Sequence, residues 1–306
     1  MAQNRPVLPK IGVTLEDALP AGGWTLARSY GGSVHGTSQG AELWVSSTGR
    51  RVIVKHHPEA PIALFEAIGQ RIEMLRTAGV PAPVTTVAQH GADVLLIHDY
   101  LPGRSDPVLT PSLIDDLVDI VERERGLADD SATQWPELIQ KSLTTGIDGR
   151  NEHASLESFS ADSRELLQRV RRVGRDPSVR RLTASDLVHC DLHTVNILSV
   201  DGRRVSGIID WDGIRAGDRA IDLAKLAFTS LWKTHHAALH EQIWHAFLSS
   251  SNHDSRVVYM HYVVLGQVNW VIRHAGMAPG PARTLELSAW ALAVTERDEF
   301  SPPPRS

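Results

Sequence analysis

The sequence predicts an α+β chain of two lobes, a small β-rich lobe over residues 1–101 and a larger, mainly helical lobe over residues 102–306. Three observations carry this prediction. Short β-prone runs separated by glycine-rich turns fill the first hundred residues, segments of helical periodicity fill most of the rest, and Leu101-Pro102-Gly103 interrupts the chain between them.

In order, Trp24–Tyr30, Ala41–Ser46 and Arg51–His56 read as strands, separated by the stretch GGSVHGTSQG and by a Ser-Thr-Gly-Arg turn. Leu64, Ile68, Ile72 and Leu75 then recur on one helical face, and Gly79, Pro81 and Pro83 end that helix. Val94–His98 is a further strand. Beyond Gly103, helices are expected over Ser112–Arg125, Trp135–Thr144, Ala161–Val173, Ile221–Lys233, His236–Ser249, Arg256–His274 and Ala282–Arg297. Between the third and fourth of these lies a strand hairpin turning at Asp201-Gly202.

Bulk properties remove several function classes. A net charge of −5 and a pI near 6.3 leave no dominant Lys/Arg stripe, so a nucleic-acid partner is not expected. Arg169, Arg171, Arg172 and Arg175 alternate with acids and read as a solvated helix face. The longest apolar run, Val257–Ile272, contains His261, Gln267 and Asn269 and reads as a buried helix, so no membrane partner is expected either. The single cysteine, Cys190, excludes an internal disulfide and fits a reducing compartment, and the first residues lack a signal-peptide core, so a cytoplasmic protein is expected; monomer and homodimer both stay open.

The chemistry concentrates in Leu187–Ala227. Asp191 precedes Asn196 by five residues, and Asp210 closes the apolar strand Gly207-Ile208-Ile209. An acceptor hydroxyl attacking phosphorus needs a carboxylate to orient it and take its proton, a role that fits Asp191. An amide oxygen and a rigid carboxylate brought together by the hairpin can hold a metal ion, roles that fit Asn196 and Asp210. His189, Asp191 and His193 also spell a transition-metal motif, but no second ligand group stands at a matching spacing.

The segment resembles the catalytic segment of the aminoglycoside phosphotransferase and choline-kinase group, relatives of protein kinases by fold. The motif H-x-D-x-x-x-x-N stands at His189–Asn196, the strand ending at Ile209-Asp210-Trp211, and G-D-x-x-x-D-L-A at Gly217–Ala224. The resemblance implies a protein-kinase-like fold, Asp191 as catalytic base, Mg2+ held by Asn196 and Asp210, and a catalytic loop supported by His189, Asp222 and Asp218. Cys190 departs from the glycine usual in that group and reads as an inert small residue.

The same resemblance assigns a nucleotide half to the first lobe. Gly32 and Ser33 lie in the glycine-rich hairpin that would cover phosphates, and Lys55 ends the strand where the kinase pattern places its phosphate-contacting lysine. The family's glutamate position falls on Ile68, leaving Glu66 and Glu73 as candidate partners for Lys55, with Glu66 preferred. Val94–Gly103 resembles the inter-lobe hinge, with adenine contacts expected at Asp99, Tyr100 and Leu101. The implied donor is ATP or GTP.

The acceptor is the less determined half. Acids at Asp115, Asp116, Asp119 and Glu122, at Asp129-Asp130, and at Glu296, Asp298 and Glu299 would suit a cationic small molecule such as an aminoglycoside or a viomycin- or capreomycin-type cyclic peptide, though acidic clusters are commonly solvated faces. The expected activity is O-phosphorylation of such an antibiotic, conferring resistance. The alternatives are a metabolic kinase for choline, a sugar or an amino alcohol, and a kinase-like binding protein without turnover.

Overall fold

The structure, a computed structural model, describes residues 23–30, 40–128, 134–147, 151–233, 236–274, 276 and 279–304. These form two compact units. One holds the described residues up to Gly69 together with Val84–Tyr100; the other holds Gln70–Pro83 and the described residues from Leu101 onward.

In the first unit, β1 (Trp24–Tyr30), β2 (Ala41–Ser46), β3 (Arg51–His57), β4 (Thr85–His90) and β5 (Asp93–Asp99) make an antiparallel sheet in the order β1-β2-β3-β5-β4. Val52 and Val54 of β3 pack with Leu95 and Ile97 of β5 and with Trp24, Trp44 and Ala88. The two-residue period of a strand therefore turns Ile53 and Lys55 to the opposite face, with Lys55 paired to Ala41 and Leu96. Strand β4 was not expected from the sequence. It lies at the sheet edge, pairing β5 only, so its Thr85-Thr-Val-Ala-Gln-His90 run needs little apolar patterning.

Helix α1 (Ile62–Thr77) buries Phe65, Ile68, Ile72 and Leu75. It ends at Gly79, whose φ of 85° lets the Val80 N–H reach back to Leu75 O at 2.9 Å. Pro81 O accepts from Ile208 N at 2.8 Å and Gly79 O from Arg123 Nη1 at 2.7 Å, bonds that tie residues 70–83 to the second unit.

The second unit contains the helices α2 (Pro111–Glu122), α3 (Trp135–Thr144), α4 (His153–Phe159), α5 (Ala161–Gly174), α6 (Ala220–Ser230), α7 (Ala237–Ser249), α8 (His253–Arg273) and α9 (Pro281–Arg297). Helix α8 is its spine, packing against α3, α4, α5, α6, α7 and α9. Its buried polar residues have local reasons to be there: His261 Nδ1 meets Val257 O, and Asn269 Oδ1 accepts from Ser155 Oγ of α4. Thr110, Ser160 and Asn252 cap α2, α5 and α8 by accepting amides three residues on. Helix α4, seven residues long, was too short to show a period in the sequence. Among the described residues, no helix is long and apolar enough to cross a membrane.

Two small sheets complete this unit. Strands β6 (Arg104–Ser105), β8 (Ile197–Ser199) and β9 (Val205–Ile208) pair in that order, and β7 (Asp186–Val188) pairs antiparallel with β10 (Arg215–Gly217).

Candidate active site

The site grows from β7, three buried residues leading into the loop His189–Asn196. Asp222, fully buried on α6, accepts the His189 amide on Oδ2 at 2.7 Å and the Cys190 amide on Oδ1 at 2.9 Å. Burial pushes the Asp222 carboxyl up to about 6, against the pull of His189 and of those two amides. The His189 ring is buried against Trp211, bonds Ile209 O through Nε2 at 2.8 Å and receives the Asp191 amide on Nδ1 at 3.3 Å. A ring carrying its hydrogen on Nε2 satisfies both. Cys190 sits at φ 66°, the left-handed region that favours glycine, which accounts for glycine being the usual residue there; the two bonds to Asp222 hold the turn despite the Cβ.

Asp191 keeps 44% of its side chain exposed, so a substrate can reach it. Its Oδ1 lies 2.8 Å from Lys225 Nζ on α6, and its Oδ2 lies 3.7 Å from His193 Nε2. Burial raises the Asp191 carboxyl, but Lys225 and His193 overcome that and hold it well below the usual carboxylate range. The group is an ionised acceptor at neutral pH.

The β8–β9 hairpin sets the backbone of Asn196 against that of Ile209, the residue before Asp210. Ile197 pairs with Ile208, and Ile209 N donates to Asn196 O at 3.0 Å, which leaves Asp210 as the next residue out. Asp201 Oδ1 takes the Arg203 and Arg204 amides to close the turn, and Gly202 adopts φ 72°. Asn196 is buried and points its Nδ2 at Asp191 O, 3.1 Å away, so its oxygen is the end left to ligate; Asp210 is exposed, at φ 68°. An oriented amide oxygen and an exposed carboxylate are ligand types that suit a hard cation taking its remaining ligands from phosphates and water. Among the described residues there is no cluster of three or more His, Cys, Asp or Glu placed to hold a metal ion.

Behind the loop lies a buried acidic network that the sequence did not reveal. Asp186 accepts the Gly126 amide and Ser185 Oγ on one oxygen, and the Arg219 amide and guanidinium on the other. Asp218 caps α6 through the Ala220 amide and takes a hydrogen bond from Tyr259 OH, so it braces the helix that carries Asp222 and makes no direct bond to the loop. Glu124 is fully buried with both carboxyl oxygens unbonded, and burial together with Asp222 and Asp186 raises it well above the usual range. Lys225 was equally overlooked. Its signal was the spacing Asp222-Leu-Ala-Lys225, which sets both side chains on one helical face.

The other predicted residues are placed as follows. Lys55 is half-buried in β3, Glu66 is exposed on α1, and Glu73 pairs with Arg76 at 2.5 Å. The Asp99 amide donates to Val84 O and the Tyr100 amide to Arg51 O, while Arg51 lies over the Tyr100 ring and Asp99 pairs with Arg50. Leu101 is half-buried and lies over Gly207. Gly32 and Ser33, like Asp129 and Asp130, lie outside the described residues. Several acids considered for a cationic pocket hold the fold instead: Asp115 binds Gln242, Asp116 the Val205 amide, Glu122 Arg219, Glu296 Arg169, and Asp298 Arg256.

Comparison with known proteins gives the family and the fold. The model of the phosphotransferase enzyme family, APH, matches residues 35–257. No curated protein matches by sequence. Among solved structures, the choline kinase LicA from Streptococcus pneumoniae superposes with a TM-score of 0.61 at 15% identity, over 91% of this chain and 96% of that one. A thermostable mutant of aminoglycoside phosphotransferase APH(4)-Ia, in ternary complex with ADP and hygromycin B, gives 0.60 at 14% identity, over 93% and 96%. Amicoumacin kinase hAmiN, with AMP-PNP, Ca2+ and Ami, gives 0.59 at 14% identity, over 90% and 88%.

Proposed function

Because the chain belongs to the APH phosphotransferase enzyme family, we propose that it transfers the γ-phosphoryl group of ATP or GTP to a hydroxyl of a small cationic natural product, in the manner of an antibiotic-resistance kinase of the cytoplasm. The observation that carries this reading is the loop itself, in which an ionised, reachable Asp191 stands five residues before a buried, oriented Asn196, with Asp210 beside it. Asp191 accepts the acceptor's hydroxyl hydrogen as the oxygen attacks phosphorus and the nucleoside diphosphate departs. Asn196 Oδ1 and the Asp210 carboxylate are the residues that would hold Mg2+, which when bound neutralises phosphate charge. Lys55, Glu66, Gly32 and Ser33 are the candidates for contact with the nucleotide's phosphates. With the Asp99 and Tyr100 amides already bonded, adenine recognition falls to the carbonyls of that stretch and to Leu101 N–H.

The cationic character of the acceptor draws support from the net charge of −5 and from the aminoglycoside and choline kinases that share the fold. The test is nucleotide consumption with aminoglycosides, cyclic peptides, choline, sugars and amino alcohols, comparing wild type with Asp191→Asn. Turnover dependent on a cationic antibiotic, lost by roughly 10²–10⁴-fold in Asp191→Asn, is the expected result. Turnover confined to choline or a sugar gives a metabolic kinase, and binding without turnover gives a kinase-like binding protein. Asp210→Ala should also abolish magnesium-dependent nucleotide binding; unchanged magnesium dependence removes Asp210 from the metal site.

A further inference from the structure

We propose that Lys225 is the cation of the reaction centre, bound to Asp191 in the resting enzyme and shared with the transferring phosphoryl group during the reaction. The inference rests on the phosphotransferase reading above and extends it to a residue outside the His189–Asn196 and Asp210 motifs.

The first argument is placement. Asp222 and Lys225 lie three residues apart on α6 and so project from one face. Asp222 fixes the start of the catalytic loop through two backbone amides, and one turn later Lys225 meets the loop's catalytic carboxylate at 2.8 Å. The helix that holds the loop in shape thereby also sets the distance between ammonium and carboxylate.

The second argument is exposure. Only 13% of the Lys225 side chain is exposed, against 44% for Asp191. The lysine side chain is largely covered, while its ammonium meets a carboxylate that is itself open to solvent. An ion pair with one partner this open is partly screened by water, so stability alone is a weak reason to cover a lysine.

The third argument is charge. Asp191 and Asp210 are both accessible acids, and a nucleotide's phosphates would add further negative charge beside them. His193, the other cationic candidate at Asp191, is 3.7 Å away and also receives Asn196 Nδ2 at 3.4 Å. Lys225 is closer, and an ammonium carries three donors, so it can keep one on Asp191 while another reaches a phosphoryl oxygen. As the acceptor oxygen bonds to phosphorus, its proton passes to Asp191 and the bond to the nucleoside diphosphate breaks. Negative charge spread over the phosphoryl oxygens is then met by a preorganised cation.

The test compares wild type, Asp191→Asn, Lys225→Met, Lys225→Arg and Lys225→Ala with magnesium-ATP and magnesium-GTP, measuring phosphoryl transfer to the panel of aminoglycosides, cyclic peptides, choline, sugars and amino alcohols, and to water. Lys225→Met should melt within about 3 °C of wild type yet lose roughly 10²–10³-fold in kcat, with KM for ATP changed by no more than about threefold. Lys225→Arg should retain more activity than Lys225→Met, and ethylammonium should restore Lys225→Ala by about tenfold or more, a response that a packing role would not give. Should Lys225→Met fail to fold, the amine rescue of Lys225→Ala decides. A Lys225→Met enzyme within threefold of wild type, or a Lys225→Ala enzyme deaf to the amine, overturns the inference while leaving the kinase reading intact. Absence of Asp191-dependent transfer to every acceptor of that panel and to water, with either nucleotide, overturns both.

Discussion

Asp222 spends its charge on two backbone amides, and that makes its ionisation state a condition for activity. Its carboxyl is raised to about 6, so above that pH both oxygens accept the His189 and Cys190 amides, and below it a proton occupies one of them. Activity should therefore decline as pH falls through about 6. Asp191 is held well below the usual range and would place its own limb far lower, so a pH–kcat profile separates the two. A first acid limb near 4 or below assigns the loss elsewhere. Cys190 is a related case at this scale. The left-handed turn at φ 66° suits glycine, so Cys190→Gly should keep kcat within about threefold and move stability by no more than about 1 kcal/mol, read by kinetics and thermal melting.

Among the elements, close approaches around the catalytic loop leave no room for a methyl group. A Cβ on Gly217 of β10 would fall 2.7 Å from Val188 Cγ2 and 3.2 Å from the Trp135 ring. Gly217→Ala should thus displace β7, one residue from His189, and cost about 1–3 kcal/mol in denaturant unfolding together with a loss of turnover. If melting and kcat are unchanged, β7 yields more easily than its burial implies. Which elements could be read beforehand follows from how they are held. Helices α3, α5 and α8 carried their own apolar period, β2 its Leu-Trp-Val stretch and β3 its β-branched Val-Ile-Val run, so local sequence named them. Strand β4 has its pairing and little apolar patterning, and α4 lasts seven residues, so neither could be read locally. The same division applies to the site. Asp191, Asn196 and Asp210 lie in one motif, whereas the roles of Lys225, Asp186 and Arg219 depend on partners distant in sequence, 33 residues for Asp186 with Arg219 and 97 for Arg219 with Glu122.

Across the molecule, buried charge is unevenly compensated. Asp186, Asp218, Asp222 and Glu124 are all buried in the second unit, with Arg219 bonding Asp186 and Glu124 bonding nothing. A carboxyl raised by burial favours folding while protonated and loses that contribution as pH rises through its folded value. Glu124→Met should accordingly be more stable than wild type by about 1–3 kcal/mol at pH 8, with the advantage shrinking toward pH 5. Thermal melts at the two pH values check this; a difference independent of pH would mean that Glu124 acts by shape alone. Finally, the bonds from Asp222 to His189 and Cys190, and the pairing of β7 with β10, bear on the order of events at the ribosome. A nascent chain ending at Asp210 already carries Asp191 and Asn196, but it lacks the residues that hold their loop in place. The loop can take its shape only after Asp222, some thirty residues beyond the base, has also left the exit tunnel, so the base emerges well before it has a fixed position.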